Sequence, residues 1–343
     1  MESMNQAPSR DRPFIIAELS GNHNRSKNLA IDLIRAAAKA GASAVKLQTY
    51  TPACLTIRGA FTITEPSSPW LGRELFDLYE EASTPWEWHE ELFQVAREEG
   101  LPCFSTPFST RAVEFLETLG NPIYKVASFE INHIPLLQCV AETGKPVIMS
   151  TGGSTVSEIE EAVNTLRKHG CKDLTLLKCT SAYPADPKEI NLRTIPHMAA
   201  LFNCDVGLSD HTLGIGVAVA SIGFGVTCIE KHLTMVRANG GVDSSFSMEP
   251  QEFASLVAEA NRAFDALGRV HYGLEVAEAK VSAGKRSIYA ARAIAPGDVF
   301  TEENIRVIRP GYGLHPRYFF NLLGRRAGRA FALGDPLDSQ DIP

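Results

Sequence analysis

The sequence predicts an α/β fold, a (β/α)8 TIM barrel followed by a small β-rich module. Three observations carry that expectation. Eight short β-branched runs alternate with amphipathic helical stretches through about the first 270 residues. Most of the runs are apolar on both faces, as the strands of a helix-covered parallel sheet are. Eight β/α units also fit the usual size of such a barrel, roughly 250 residues. A doubly wound open sheet is the competing architecture, but no GxGxxG turn follows the first strand.

In chain order the strands are expected at Phe14–Leu19, Ala44–Leu47, Pro102–Ser105, Ile123–Val126, Val147–Met149, Leu174–Lys178, Asp205–Leu208 and Val226–Lys231. Helical patterns lie between them at 27–40, 86–99, 109–119, 156–169 and 250–266, with Gly41, Gly100, Gly120, Gly170 and Gly268 where C-caps belong. Thr84 and Pro85 suit the N-cap and first helical position of the second pattern, and the run Trp86–His89 suits packing. Residues 55–70 read as a long βα loop able to act as a lid. After about residue 280 come short strand-like pieces, Ser287–Ala291 and Asn304–Ile308, broken by Pro296-Gly297, Arg309-Pro310-Gly311 and Gly334-Asp335. The expected organisation is a flexible tail over 1–12, the barrel over 13–270, a linker over 271–283 and the β-rich module over 284–343. Residues 281–343 hold 9 Lys and Arg against 6 Asp and Glu, net +3, which leaves −10 for residues 1–280. A basic cap on an acidic body could dock across a subunit interface, and chance surface composition explains the charge equally well.

Composition narrows the function classes. With 343 residues, 44% of them hydrophobic, and a net charge of −7, the chain can bury a large core and lacks the basic footprint of a nucleic-acid binder. Its longest apolar stretches, such as 216–229, are interrupted by Gly, Ser and Thr and fall short of the roughly 20 residues of a membrane span. Met1–Arg12 has no apolar core of a secretion signal, and seven scattered cysteines without a CxxC argue against disulfides or a zinc ribbon. A cytoplasmic protein with no membrane or nucleic-acid partner is the expectation.

In a (β/α)8 barrel the site is built at the C-terminal ends of the strands. Lys46, Lys125, Lys178 and Lys231 fall at or near the ends of strands two, four, six and eight. Buried lysines need partners, so either carboxylates such as Glu18 and Glu230 neutralise them or a small, densely anionic ligand does. Hydroxyls cluster at the same ends: Ser105-Thr106, Ser128, Ser150-Thr151 before Gly152-Gly153, and Ser209. With the glycine amides they could cradle phosphate oxygens, although Ser-Thr-Gly-Gly alone is more often a turn. His211 and His232 follow strands seven and eight. Adjacent strands lie about 4.8 Å apart, so both imidazoles could reach one divalent metal at roughly 2 Å each; hydrogen-bonded rim histidines are the bland alternative. The loop Ser20–Asn24, including Asn22, could hydrogen-bond a polyol or could simply lead into the helix at Lys27. The other histidines, His89, His133, His169, His197, His271 and His315, suit structural or surface positions.

These residues also carry a resemblance. Ala17–Asn24, Lys46–Thr49, Phe104–Phe108, Tyr124–Ser128, Gly207–Thr212 and Glu230–His232 together resemble the sialic acid synthase family, the phosphoenolpyruvate-dependent nonulosonic acid synthases, over nearly the whole chain. Arg286–Tyr289 and Arg309–Leu314 resemble that family's antifreeze-like (SAF) C-terminal domain. Leu47–Pro52, Thr84–His89, Ser128–Ile131 and Ser181–Pro187 look most like its pseudaminic branch. The resemblance implies condensation of phosphoenolpyruvate with the open-chain aldehyde of an acetamido sugar, here 2,4-diacetamido-2,4,6-trideoxy-L-altrose, releasing phosphate. It implies phosphoenolpyruvate contacts from Lys46, Thr106, Lys125, Ser128, Ser150 and Ser209, with Lys46 and Lys125 offsetting charge during catalysis. It places a divalent metal, manganese-like with magnesium or cobalt as alternatives, on His211 and His232. Glu18 would act as base, orient the sugar or neutralise Lys46. Tyr183 and Asp243 match sugar-side positions, and Arg309 matches an arginine that reaches the sugar's N-acyl group across a domain-swapped homodimer. Ser181 departs from the Asn of sialic-type members, which favours the diacetamido sugar over N-acetylmannosamine. An N-acetylneuraminate or legionaminic acid synthase with the same chemistry is the alternative within the enzyme class. The intact Glu18, the lysines and both rim histidines speak against a non-catalytic sugar-binding or carbohydrate-protecting protein, and a metal-free phosphate-binding isomerase would leave His211, His232 and the C-terminal module without a role.

Overall fold

Eight parallel strands close into a barrel in the computed structural model, which describes residues 12–66, 68, 70–279 and 284–341. They are β1 (Phe14–Glu18), β2 (Ala44–Thr49), β3 (Cys103–Pro107), β4 (Tyr124–Val126), β5 (Val147–Ser150), β6 (Leu174–Cys179), β7 (Asp205–Ser209) and β8 (Cys228–His232), each paired with its sequence neighbours and β1 with β8. The helices of this unit are α1 (Lys27–Lys39), α2 (Pro52–Leu55), α3 (Leu75–Ala82), α4 (His89–Glu98), α5 (Thr110–Thr118), α6 (Ile134–Glu142), α7 (Val156–Lys168), α8 (Thr194–Phe202), α9 (Gly216–Ile222) and α10 (Pro250–Leu267). The predicted fold class therefore holds, strand by strand. Side chains such as Ala17, Val45, Leu47, Met149, Leu176, Leu208 and Ile229 point outward into the main core shared with the helices.

The opposite set points into the barrel, because successive strand residues alternate faces. Ile16, Ala44, Phe104, Ile148, Leu177 and Cys228 form an apolar plug across its base. The next inward positions along those strands are Glu18, Lys46, Thr106, Ser150, Cys179 and Glu230, all buried, so the plug passes abruptly into a polar layer. Gly207 keeps β7 close to this interior. A Cβ there would lie 2.4 Å from Cys228 Sγ and 2.5 Å from its carbonyl.

The same alternation corrects the expectation of four converging lysines. Lys178 lies between inward-facing Leu177 and Cys179, and Lys231 lies between Glu230 and His232, so both turn out of the barrel. Lys231 is buried against Asp210, 2.7 Å from its Oδ2, and donates also to the Thr212 carbonyl. Lys178 donates to the Cys179 carbonyl and faces an outer groove with Pro187, Arg193 and His197. Removing one partner of a buried ion pair strands the other charge. Asp210→Ala is therefore expected to cost about 3–5 kcal/mol, read as a melting temperature lower by about 10 °C, and Lys231→Met in the same chain should recover most of it.

Two local expectations change. Thr84 does not cap a helix: its hydroxyl receives His23 Nε2–H at 3.1 Å, and a 3-10 turn, Trp86–Trp88, precedes α4. The loop after β2 is longer and more ordered than 55–70, running from α2 through a Thr62–Glu74 bridge into α3.

The chain divides into two units, Met1–Gly268 and Arg269–Pro343. In the second, the linker region carries a short helix, α11 (Val276–Ala279), and β9 (Ser287–Ala290) pairs antiparallel with β10 (Ile305–Ile308) ahead of α12 (Phe319–Leu322). Ile288, Ile294, Phe300, Phe331 and Leu337 make its own small core. Residues 1–11 of the expected tail, residues 280–283 of the expected linker and the last two residues lie outside the described residues. Among the described residues no helix is long and apolar enough to cross a membrane.

Candidate active site

The polar layer opens into a chamber of about 340 Å³ at the C-terminal ends of the strands. Strand register builds its floor. Glu18 is level with Lys46 on one side and His232 on the other, and Gln48 is level with Thr106. Lys46 Nζ lies 2.6 Å from Glu18 Oε2 and 3.6 Å from Glu230 Oε1, and donates to Thr106 Oγ1 at 3.1 Å. Gln48 completes the shell of Glu18 by donating to Oε1 at 2.8 Å. Burial pushes the Glu18 carboxyl above its usual range against the pull of Lys46. Burial works the same way on Glu230, but Lys125 and Lys46 outweigh it and hold that carboxyl below its usual range.

Lys125 differs from Lys46. Its ammonium donates to Ser150 Oγ at 2.7 Å and to the Val126 carbonyl at 2.9 Å, and among the described residues no carboxylate lies within ion-pairing distance. Burial lowers its pKa, with Glu230 opposing. Beside it, the Gly152 amide donates to Ser128 Oγ at 3.0 Å. A Cβ on Gly152 would meet Ser181 Oγ at 2.2 Å and Ser128 Oγ at 2.9 Å, so only glycine lets this turn approach the two hydroxyls. Ser209 Oγ reaches Glu230 Oε1 at 3.4 Å. A buried cation with neutral partners, ringed by hydroxyls, is a ready place for a small anion.

Two imidazoles stand at the rim, ring centroids 5.3 Å apart, with Tyr183 at 4.4 Å from His211 and Phe246 at 5.1 Å from His232. His211 Nδ1 donates to the Thr180 carbonyl at 3.0 Å, which leaves Nε2 as the ring nitrogen free to bind a ligand. His232 Nδ1 is buried without a hydrogen-bond partner among the described residues. Burial pushes His232 well below its ordinary pKa, and the positive groups around it add to that, so it is a neutral imidazole. Burial opposes charge on His211 too, but Cys179 and the Thr180 carbonyl raise its pKa.

Comparison with known proteins now decides the family. The NeuB family model matches residues 33–272, and the SAF domain model matches residues 285–343. The chain belongs to the NeuB family. It is 40% identical over 332 residues to pseudaminic acid synthase of Campylobacter jejuni subsp. jejuni serotype O:23/36, covering 96% of both chains. It is 40% identical over 334 residues to pseudaminic acid synthase of Helicobacter pylori, covering 96% of this chain and 98% of that one. The structure superposes on N-acetylneuraminic acid synthetase of Leptospira borgpetersenii serovar Hardjo-bovis with a TM-score of 0.71 and 30% identity, over 81% of this chain and 95% of that one.

Within this NeuB-family barrel the chamber gathers Glu18, Lys46, Thr106, Lys125, Ser128, Ser150, Tyr183, Ser209, His211, His232 and Asp243 from the residues singled out in the sequence. Asp243 accepts from Ser20 Oγ, and burial raises its pKa against that bond. Asn22 does not join them. Its amide donates to the Leu233 carbonyl and to Ser247 Oγ, both at 2.8 Å, so it fastens the loop after β1 to the loop after β8. His23 is likewise committed to Thr84 and to the Arg25 amide. Arg309 is an exposed residue of the second unit, ahead of a cis peptide to Pro310.

The buried, unpartnered Nδ1 of His232 and the free Nε2 of His211 are the donor chemistry a divalent ion takes, so the pair fits a metal. Among the described residues no group of three or more His, Cys, Asp or Glu forms a larger cluster, which would leave coordination positions to water and substrate.

Gln48 and Glu130 are among the chamber residues that were given no role in the sequence. Gln48 sits one pleat beyond Lys46 and is visible only once the register is known. Glu130, on the 3-10 turn Ser128–Glu130, lines the chamber with Oε2 lacking a hydrogen-bond partner. Burial, opposed by Lys125, pushes its carboxyl up to about 7. The folded chain thus holds this proton more tightly than the unfolded one, so the associated stability is complete below the ordinary glutamate value and is lost as pH rises through about 7. Urea unfolding of wild type and Glu130→Gln at pH 5 and pH 8 should show the larger decline in wild type. Equal declines would mean that Glu130 is solvated.

Proposed function

We propose that this chain is a pseudaminic acid synthase, a carbon–carbon bond-forming transferase that condenses phosphoenolpyruvate with 2,4-diacetamido-2,4,6-trideoxy-L-altrose and water to give pseudaminic acid and phosphate. The observation that carries this reading is the buried cation Lys125, bonded to a hydroxyl and a carbonyl rather than a carboxylate and set beside Ser150, Ser128 and the Gly152 turn in a barrel whose relatives include pseudaminic acid synthases. Phosphoenolpyruvate is a compact anion of that size and charge. Lys46, Lys125, Thr106, Ser128, Ser150 and Ser209 hold its phosphate and carboxylate.

The sugar enters over this anion with its aldehyde toward the two imidazoles and its hydroxyls toward Tyr183 and Asp243. A divalent ion, manganese in this reading, held by His211 and His232, supplies Lewis acidity at the aldehyde oxygen when bound. C3 of phosphoenolpyruvate attacks the aldehyde carbon, the new C–C bond forms, and positive character develops at C2. Glu230, kept anionic by Lys125 and Lys46, and Glu18 face that charge. Water adds to C2 and Glu18 takes one of its protons, which balances the proton taken up by the former aldehyde oxygen. The C2–O bond to phosphate then breaks as the C2 hydroxyl becomes the keto carbonyl, and its proton leaves on the departing phosphate, giving the 2-keto acid and hydrogen phosphate. Phosphoenolpyruvate labelled with ¹⁸O at the bridging position tests this order, because the label should leave with phosphate. Label retained in the sugar product would contradict addition of water at C2.

The family resemblance assigns Arg309 to the sugar's N-acyl group across a domain-swapped homodimer. On that assignment Arg309→Ala raises KM for the sugar roughly 10-fold, the worth of one charged hydrogen bond, and leaves KM for phosphoenolpyruvate unchanged. Steady-state kinetics with each substrate varied in turn would show it, and an unaltered sugar KM would remove Arg309 from the site. Phosphoenolpyruvate is made in the cytoplasm, which supports a cytoplasmic location.

A further inference from the structure

The chamber has two unlike walls. The floor and the histidine rim are charged or hydroxylated, whereas the excursion from Pro52 to Ala82 presents Leu55, Ile63, Trp70, Leu75 and Leu78. That choice is not forced by composition, because the same excursion is rich in charge. Its charged groups are turned away and bonded to one another: Arg58 pairs with Asp77 and Glu80, both at 3.1 Å, Arg73 pairs with Glu81, and Glu74 accepts from the Gly59 amide. Apart from Tyr79, whose ring packs edge-on against Tyr50, the polar groups that line the chamber from the described residues of the excursion are bonded within the protein. Trp70 Nε1 donates to the Val242 carbonyl at 3.2 Å, and Ser68 Oγ accepts from the Trp70 amide at 3.2 Å.

A hydroxyl placed against the side chains of Leu55, Ile63 and Leu75 gives up water and gains no hydrogen bond, whereas a methyl group gains by leaving water. The sugar's aldehyde carbon belongs with the polar floor, so the wall is left to the far end of the substrate. We propose that Ile63 and Leu75, with Leu55 beside them, are specificity-determining residues that pack the methyl groups of that end, the C6 methyl and the acetyl methyl on the C4 nitrogen. This inference rests on the function proposed above. It states which feature separates a trideoxy diacetamido sugar from N-acetylmannosamine, which carries hydroxyls at both positions.

The test compares wild type with Ile63→Thr, Leu75→Gln and, as a control on the same excursion, Leu71→Gln; Leu71 is exposed and lies outside the chamber. Phosphate release is measured with 2,4-diacetamido-2,4,6-trideoxy-L-altrose and with N-acetylmannosamine, the latter read as a competitive inhibition constant if it is not turned over. Melting temperatures accompany each variant. Ile63→Thr and Leu75→Gln should each lower kcat/KM for the diacetamido sugar roughly 10-fold, the scale set by a methyl-sized change in an apolar pocket. KM for phosphoenolpyruvate should stay constant, N-acetylmannosamine should be unaffected or favoured, and Leu71→Gln should change nothing. Equal losses on both sugars, a parallel shift in KM for phosphoenolpyruvate, or no loss would overturn the assignment. Absence of turnover of the diacetamido sugar by wild type would instead overturn the function on which it rests.

Discussion

Exchange of Lys125 for methionine should lower kcat/KM for phosphoenolpyruvate by about 10²–10³-fold while leaving the protein as stable as wild type, or more so. The two halves of this expectation come from one observation. Lys125 is buried, and its partners are a serine hydroxyl and a carbonyl rather than a carboxylate. A buried charge with no carboxylate in contact weakens the fold, so a linear apolar side chain of similar length relieves that cost while Lys46 still faces Glu230. The same cation is worth most when a dianion arrives in a dry pocket, which is where the activity is lost. Lys46 makes the contrast: Lys46→Met would leave Glu18 and Glu230 facing each other unpaired, so it should lose stability as well as activity. Phosphate release and thermal melting of the two variants distinguish a substrate-binding cation from a structural one. Should Lys125→Met melt well below wild type and retain its kinetics, Lys125 serves the fold.

Exchange of His232 for asparagine should reduce turnover at least about 10²-fold, matching wild type treated with a chelator. Activity alone would not separate a lost ligand from a distorted rim, so melting supplies a second readout. Manganese at about 100 times its dissociation constant stabilises the form that binds it by about 2.7 kcal/mol. For a unit of this size that is a rise of about 5–10 °C, expected in wild type and absent in His232→Asn. A rise of equal size in both proteins would place the ion elsewhere. The unpartnered Nδ1 of His232 and its depressed pKa are why this imidazole, neutral and ready, is chosen.

Much of this was legible in the sequence, and the failures share a cause. The eight strands could be read because a parallel barrel strand is apolar on both faces, a pattern that survives without knowledge of its neighbours. Which face a polar residue occupies could not. Lys178 and Lys231 sit at strand ends just as Lys46 and Lys125 do, but one step in register sends them outward, to the outer groove and to Asp210. Asn22 lies in a loop that does reach the chamber through Ser20, yet its amide is used to join two loops. Gln48 and Glu130 lie in segments that carry the family resemblance, but nothing in those segments marks these two side chains as facing the chamber. They become functional candidates only through the contact with Glu18 and through burial beside Lys125. The sequence shows only a long loop over 55–70 where the structure has an excursion over 52–82, because its apolar residues are scattered in sequence and meet only after α2, the Thr62–Glu74 bridge and α3 have formed.

The most direct measurement is phosphate release from phosphoenolpyruvate by the full chain with manganese, offered 2,4-diacetamido-2,4,6-trideoxy-L-altrose, N-acetylmannosamine, the legionaminic precursor or no sugar, with the product identified by mass. Chelator-sensitive release that requires the altrose sugar and yields a nine-carbon 2-keto acid is the predicted result. Release with another sugar in preference, or no release with any of them, would contradict the assignment.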